Sequence, residues 1–355
     1  MTIDRSETRA TARDAETAAT LDTARTWIRD GRARVPLPGS GGTWARWSRL
    51  LELAREDLPA ARIVEAHLDA TAILAELAGP DAASVDSGDL WAVGAAEPPT
   101  PRVVATRASG GWTLDGTKAW CSAASFATHA LLTADADVAS GPRLFQVDLR
   151  DAGVTPEPRT WASVGMASTD TGEVSFAGVP ALAVGEPTGY LERAGFWHGG
   201  IGVACCWWGG AQGLIDLMSR RLRKRGSDFA ESHFGACIAW DTVVTGALRA
   251  AASDIDAAPH DVPSARRRAL ALRTPIDRAC TDVIIRFGRA FGARPFATDA
   301  GASQRLAALQ VYVRQPPAES PAAAPARLVL HACPPLPRAR ARSARAARAP
   351  RPVLF

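Results

Sequence analysis

The feature that most constrains the fold of this 355-residue chain is a change of periodicity near residue 90 and again near residue 185. Between these points, short runs of β-branched and aromatic residues recur every roughly 8 to 12 residues, separated by Gly, Pro and Asp turns. This spacing predicts an antiparallel β-sandwich or barrel. On both sides of it, apolar residues recur at helical intervals instead. The order of elements is therefore helices, then strands, then helices.

The helical segments divide into an earlier group and a later group. The predicted helices are 10–32, one beginning near Thr43, Pro59–Leu77, Gly199–Lys224, Asp228–Ala258, Pro263–Ala290 and Thr298–Arg314. The last four are joined by short links, which indicates a four-helix bundle. We therefore predict an α+β multidomain protein with a helical domain (1–85), a β domain (86–187), a helical bundle (188–315) and a tail (316–355).

One stretch of the β region, Gly110–Ala134, combines turn and site signals. Asp115-Gly116 has the composition of a two-residue hairpin turn, so we predict two strands joined there. Farther along, Trp120 and Ser122 are two residues apart and would share one face of a strand. That face would offer a stacking surface beside a hydroxyl group, which suits a planar heterocycle such as a flavin. The alternative is an ordinary hairpin with a core Trp and a surface Ser.

Two motifs in this region resemble those of a known family. The segment Gly111-Trp-Thr-Leu-Asp-Gly-Thr-Lys-Ala-Trp-Cys-Ser resembles the central signature of the acyl-CoA dehydrogenases, and Val164-Gly-Met-Ala-Ser-Thr-Asp-Thr-Gly-Glu-Val-Ser-Phe-Ala-Gly-Val-Pro is similar to a second motif of that family. The resemblance covers about residues 40–315. It implies an N-terminal helical domain, a middle β domain, a C-terminal four-helix bundle and an FAD cofactor. By match, Trp120 would pack against the flavin, the Ser122 hydroxyl would reach its N5, and Cys121 would lie between them.

The resemblance also implies a reaction, the α,β-dehydrogenation of an acyl thioester. That reaction needs a carboxylate to take the α proton while the flavin accepts the β hydride. Many family members carry this Glu near the C-terminus, where the present chain has Gln315 and no carboxylate. Other members carry it at the start of the first C-terminal helix, where Glu192 is the candidate base. An alignment without gaps places His198 or a direct neighbour there instead, so His198 is a candidate polar group of the flavin site.

The resemblance further implies that an Arg at the end of that helix holds the FAD pyrophosphate of a neighbouring subunit. Arg223 and Arg225 are the matching candidates, because a guanidinium suits phosphate. The alternative is that both are ordinary surface cations without a cofactor role. This role predicts a homodimer or homotetramer that acts on a small-molecule acyl substrate.

Two departures from the family pattern, the missing C-terminal Glu and an altered substrate loop, leave other functions open. The acidic, Gly-rich substrate loop expected near residue 95 is replaced by Ala95–Pro101, which puts recognition of CoA in doubt. A flavin-dependent monooxygenase on the same fold needs no C-terminal Glu but must admit oxygen. A catalytically degenerate, FAD-binding paralogue is the third interpretation.

Several negative signals bear on compartment and partners. The N-terminal 18 residues hold four acidic side chains and no apolar run, and no stretch of about 18 apolar residues occurs, so we expect neither a signal peptide nor a membrane helix. The six Cys are scattered without the spacing of a metal site. We therefore predict a cytoplasmic protein that binds no metal and no membrane.

The net charge of +4 is concentrated at the C-terminus. Residues 316–355 carry seven Arg and one Glu, and removing that surplus leaves residues 1–315 at about −2. The body is therefore not expected to bind nucleic acid. The Pro, Ala and Arg composition of the tail predicts disorder. A nucleic-acid tail, or translation out of frame in a GC-rich gene, would have a similar composition.

Overall fold

The computed structural model describes residues 5–83, 88–96, 102–136, 142–157 and 161–315. The predicted tail lies outside these ranges, as does most of the segment 95–101. Within them the predicted order of helices, strands and helices is confirmed. No helix of the described ranges is long and apolar enough to cross a membrane.

The first three helices are α1 (Arg5–Arg29), α2 (Thr43–Glu56) and α3 (Leu58–Leu77). Asp57 separates α2 from α3 and serves as the N-cap of α3, where its side chain accepts a hydrogen bond from the Ala60 N–H at 2.9 Å. Pro59 occupies the first turn of α3, where its missing N–H costs nothing. The apolar stripe of α3 is buried as predicted, with Ile63 and Ile73 almost fully inaccessible.

Seven strands form one sheet that closes on itself. They are β1 (Trp91–Gly94), β2 (Val103–Ala108), β3 (Gly111–Cys121), β4 (His129–Asp135), β5 (Pro142–Asp148), β6 (Val154–Glu157) and β7 (Gly172–Ala183). Strands β4, β2, β3, β7 and β5 pair in that order, and β5 pairs back with β4. The barrel is not purely antiparallel, because β4 runs parallel to both β1 and β2.

The predicted hairpin at Asp115-Gly116 is wrong. Strand β3 runs straight through these residues, and the turn lies between β2 and β3 at Ser109-Gly110. Asp115 instead accepts a hydrogen bond from the Gly178 N–H at 2.8 Å, beside a register shift in the pairing of β3 with β7. Gly116 has φ +114°, and a Cβ there would overlap the Arg102 carbonyl oxygen. The Asp-Gly pair therefore marks a β-bulge rather than a turn.

The C-terminal region contains α4 (Gly189–Glu192), α5 (Ala194–Lys224), α6 (Asp228–Ala257), α7 (Val262–Phe291), α8 (Arg294–Thr298) and α9 (Ala300–Tyr312). Helix α5 is the centre of the core and packs against α2, α3, α6, α7 and α9. Its adjacent side chains Trp207 and Trp208 are both fully buried, which is possible only because helices surround α5 on more than one side.

Candidate functional site

A cavity of about 570 Å³ lies where α3, α5 and α9 meet the barrel. This volume is typical of a small-molecule site. Its walls carry both aromatic and charged side chains. The lining residues that matter for chemistry are Arg62, Glu65, Asp69, Trp120, Ser122, Thr169, Thr171, Tyr312, Arg314 and Gln315.

The barrel side of the cavity presents the predicted pair Trp120 and Ser122. The pairing of β3 with β7 shifts register between Lys118 and Cys121, so the simple strand alternation assumed from the sequence does not hold there. Trp120 has φ +58° and is 59% exposed. A left-handed backbone at a bulky residue costs free energy and persists only where its surroundings impose it. The bulge therefore holds a large aromatic face open towards the cavity.

The Ser122 hydroxyl belongs to a short hydrogen-bonded chain. Thr169 Oγ1 donates to the Met166 carbonyl oxygen at 2.7 Å and lies 2.7 Å from Thr171 Oγ1, which lies 3.0 Å from Ser122 Oγ. Each hydroxyl has one proton, so Thr171 donates to Thr169 and Ser122 donates to Thr171. In this arrangement the Ser122 oxygen faces the cavity as an acceptor. The hydroxyl must rotate to donate to a ring nitrogen.

Cys121 does not line this cavity. Its sulfur lies 3.6 Å from the Lys118 carbonyl oxygen, and burial raises the pKa of the thiol to about 12. The thiol faces the barrel interior because the bulge turns consecutive residues to opposite sides. The structure therefore gives no support to the expectation that Cys121 contacts a cofactor in this cavity.

The two candidate catalytic residues also lie outside the lining of the cavity. Tyr190 on α4 and Arg193, which directly follows α4, are both buried, and Arg193 forms an ion pair with Glu76 at 2.6 Å, while Glu192 is exposed. His198 is buried, and its Nε2 donates to the Pro259 carbonyl oxygen at 2.9 Å. Burial lowers the pKa of the imidazole, which indicates a neutral structural side chain.

Arg223 and Arg225 are exposed at the C-terminal end of α5. Val203, on the same helix, lines the cavity. A separation of about 20 residues at 1.5 Å per residue places Arg223 roughly 30 Å along the helix from Val203. Within one subunit, neither guanidinium reaches this cavity.

The end of α9 and the residues directly after it reach the cavity, in the region where the resemblance implies a C-terminal base. Val311, Tyr312, Arg314 and Gln315 line it, and none of them is a carboxylate. The Arg314 guanidinium donates to Asp277 at 3.0 Å. The region where the resemblance implies a C-terminal base therefore lies at the cavity, but its residues in the cavity wall are apolar, aromatic, cationic or amide side chains.

The charged wall that α3 contributes to the cavity was not predicted from the sequence. Arg62, Glu65 and Asp69 all line the cavity, and Arg62 forms an ion pair with Glu65 at 3.0 Å. Burial raises the pKa of the Glu65 carboxyl to about 7, against the opposing influence of the Arg62 guanidinium. The available signal was three charged residues at intervals of three and four in a largely apolar helix, which places them on one face.

Tyr312 completes this wall from α9. Its side chain is 3% exposed, and within the described part of the chain its hydroxyl has no hydrogen-bond partner. Burial and the nearby Glu65 raise the pKa of the phenol well above its usual range. A buried hydroxyl without a partner is costly, so a hydrogen bond to a molecule bound in the cavity would stabilise it.

The barrel wall fits the isoalloxazine ring of a flavin. The exposed Trp120 face provides a stacking surface, and the Ser122 oxygen provides a hydrogen-bonding group beside it. The opposite, charged wall on α3 leaves room for a second, polar molecule. The stacking surface and the charged groups of α3 thus belong to different walls of one cavity.

Comparison with known proteins agrees with this geometry. Residues 95–179 match the family model of the acyl-CoA dehydrogenase middle domain. The predicted resemblance to the acyl-CoA dehydrogenase family is confirmed, and the chain has the acyl-CoA dehydrogenase fold. No curated protein matches the chain in sequence.

Proteins of known structure that share this fold include both a monooxygenase and a dehydrogenase. FMN-bound TdsC, a dibenzothiophene monooxygenase from Paenibacillus sp. A11-2, is 18% identical with a TM-score of 0.72, and the match covers 92% of this chain and 99% of that chain. Butyryl-CoA dehydrogenase from Megasphaera elsdenii is 17% identical with a TM-score of 0.71, covering 86% and 89%. KijD3 with FMN and a dTDP-linked amino-keto sugar is 20% identical with a TM-score of 0.71, covering 88% and 86%. At these identities the likeness shows the fold alone.

Proposed function

We propose that the protein is a flavin-dependent oxidoreductase that oxidises a small polar carbonyl compound. The observation that carries the proposal is the exposed, left-handed Trp120 beside Ser122 on the wall of the cavity. A bound flavin supplies two-electron oxidation. The chain itself covers the ring with Trp120, places a hydroxyl oxygen at its edge, and surrounds the substrate with charged and aromatic groups.

The leading reaction is the dehydrogenation expected from the sequence. It needs a carboxylate inside the cavity, and α3 supplies Glu65 and Asp69 in place of the exposed Glu192. A hydrocarbon acyl chain fits poorly against such a wall, because buried charges must be paired or solvated. A polar acyl substrate is therefore favoured over a fatty one.

Monooxygenation is the second candidate, favoured because neither family base position contributes a carboxylate to the cavity among the residues that the structure describes. Anaerobic mixing with a panel of short and hydroxylated acyl-CoA thioesters separates the two. Dehydrogenation predicts bleaching of the flavin without oxygen, whereas monooxygenation predicts substrate turnover only with oxygen and an external reductant. A purified protein that binds flavin but shows neither reaction would support the degenerate interpretation, whereas one that binds neither FAD nor FMN would contradict all three.

The Trp120→Ala variant is expected to weaken flavin binding by about fivefold or more, since a lost aromatic stack is worth about 1 kcal/mol. The measurement is flavin affinity by fluorescence titration. Trp112→Ala is the matched control on the same strand, because Trp112 packs on Phe145 and lies outside the cavity lining. Equal flavin affinity in wild type and Trp120→Ala would refute the stacking role.

We further propose that the cofactor is FAD and that Arg223 and Arg225 contact its pyrophosphate in a neighbouring subunit of a homodimer or homotetramer. Both guanidiniums are exposed and far from their own cavity, so only another subunit's cofactor is within their reach.

Replacing both residues by Gln is therefore expected to lower FAD affinity by about tenfold or more, because hydrogen bonds to charged groups are worth about 1.5 to 3 kcal/mol. Arg220→Gln, also exposed near the end of α5, is the control. Sedimentation should show a dimer or tetramer. A monomer that retains FAD tightly would argue against this arrangement.

A further inference from the structure

We propose that Glu65 is the catalytic residue that takes the substrate proton in this cavity, and that the Tyr312 hydroxyl binds the adjacent carbonyl oxygen of the substrate. The inference rests on the proposed flavin-dependent oxidation. It moves the base to α3, away from both positions that the sequence resemblance implies.

The geometry of Glu65 suits a group that meets a ligand. The residue is 6% exposed and lines the cavity. Its Oε2 accepts from the Arg62 guanidinium at 3.0 Å, which fixes the orientation of the carboxylate. No hydrogen bond within the described residues reaches Oε1. One oxygen is therefore anchored and the other is available to a substrate.

Tyr312 provides the second, independent observation. Its hydroxyl is buried on the same cavity and has no partner within the described part of the chain. A phenol can donate to a carbonyl oxygen. A hydrogen bond to that oxygen stabilises the negative charge that develops when a proton leaves the neighbouring carbon. The pair therefore selects substrates with a carbonyl group and a C–H bond next to it.

The step balances as follows. The α C–H bond breaks, its proton bonds to the Glu65 carboxylate, and its electron pair becomes the second bond between the α and β carbons. The β carbon loses a hydride, with both electrons, and the flavin of the proposed function would supply the acceptor for it. The substrate is oxidised by two electrons, and Glu65 later returns its proton to water.

The electrostatic surroundings of Glu65 favour proton transfer near neutral pH. Burial raises its pKa to about 7 and the Asp69 carboxylate also raises it, while nearby guanidiniums lower it. The charged and titratable groups that interact with it are Arg62 and Asp69 on α3, Arg46 on α2, Tyr190 on α4, Cys206 on α5, Arg273 on α7 and Tyr312 on α9. An acid with a pKa near the working pH is efficient both as base and as acid.

The test uses the flavin-loaded full chain with Glu65→Gln and, as the chemically identical control, Glu192→Gln. First, the absorbance spectrum of the bound flavin is recorded from pH 5 to 9. Wild type and Glu192→Gln are expected to show a transition near pH 7 that Glu65→Gln lacks. Second, anaerobic flavin reduction by the acyl-CoA panel is expected to slow by about 100-fold or more in Glu65→Gln and to stay near the wild-type rate in Glu192→Gln.

The outcomes separate this inference from the proposed function. A wild-type protein without flavin refutes the proposed function. Flavin retained in every variant, with the same pH transition in Glu65→Gln as in wild type, refutes the role of Glu65 alone, even where no panel compound reduces the flavin. Loss of reduction in Asp69→Asn but not in Glu65→Gln would also overturn it. Tyr312→Phe is expected to weaken substrate binding and slow reduction while flavin affinity stays unchanged.

Discussion

Gly165→Ala is expected to destabilise the protein by about 1 to 3 kcal/mol and to lower its flavin content. Gly165 lies in the second family-like motif, and a Cβ there would overlap the Ala307 carbonyl oxygen and approach Val311 Cγ2 to 2.7 Å. The Trp161 indole N–H donates to the Gly165 carbonyl oxygen at 3.1 Å and ties the loop down. Because Val311 lines the cavity, pushing the loop from α9 opens its wall.

Thermal unfolding and the ratio of bound flavin to protein measure both effects. The control is Gly246→Ala, which is exposed on α6 with no atom within 4 Å of the added Cβ. This control should stabilise the protein by about 0.5 to 1 kcal/mol, because Ala is the better helix former. A Gly165→Ala protein that melts with wild type and keeps its flavin would show that the loop does not pack on α9.

Glu65→Gln is expected to change the pH dependence of stability. The pKa of this carboxyl is about 7 in the fold against an ordinary value of 4.5, so between these values the folded state binds more protons than the unfolded state. Stability contributed by the protonated form is present below pH 4.5 and is lost as pH rises through 7. A shift of this size corresponds to about 3 kcal/mol.

Urea unfolding of both proteins at fixed flavin concentration from pH 4 to 8 measures this contribution. The free energy of unfolding of Glu65→Gln should rise relative to wild type across that range. Any constant offset reflects the altered partner of Arg62 and is independent of pH. If the free energies of unfolding of the two proteins changed in parallel with pH, the fold would not shift the pKa of Glu65.

Structural features that depend only on neighbouring residues could be predicted from the sequence. The apolar stripe of α3 and the cations at the end of α5 predicted helices that the structure contains. Trp120 and Ser122 both line the cavity although the strand alternation assumed for them does not hold, because the bulge leaves both of them facing it. Asp115-Gly116 misled because a bulge and a hairpin turn select the same residues.

The sequence by itself determined the fold, through the two family-like motifs and the order of helical and strand periodicities. These signals can be detected in the sequence because side-chain alternation, helical spacing and turn residues act over a few neighbouring positions. The contents of the cavity depended on tertiary structure. Glu192 faces away because Arg193 takes the inward position, whereas Glu65 becomes a cavity residue only when α3, α5 and α9 close around it. The ion pair of Glu65 with Arg62 lies within α3. The burial of Glu65 and its place in the same cavity as Tyr312 depend on segments almost 250 residues apart, where no local pattern indicates which side chains meet.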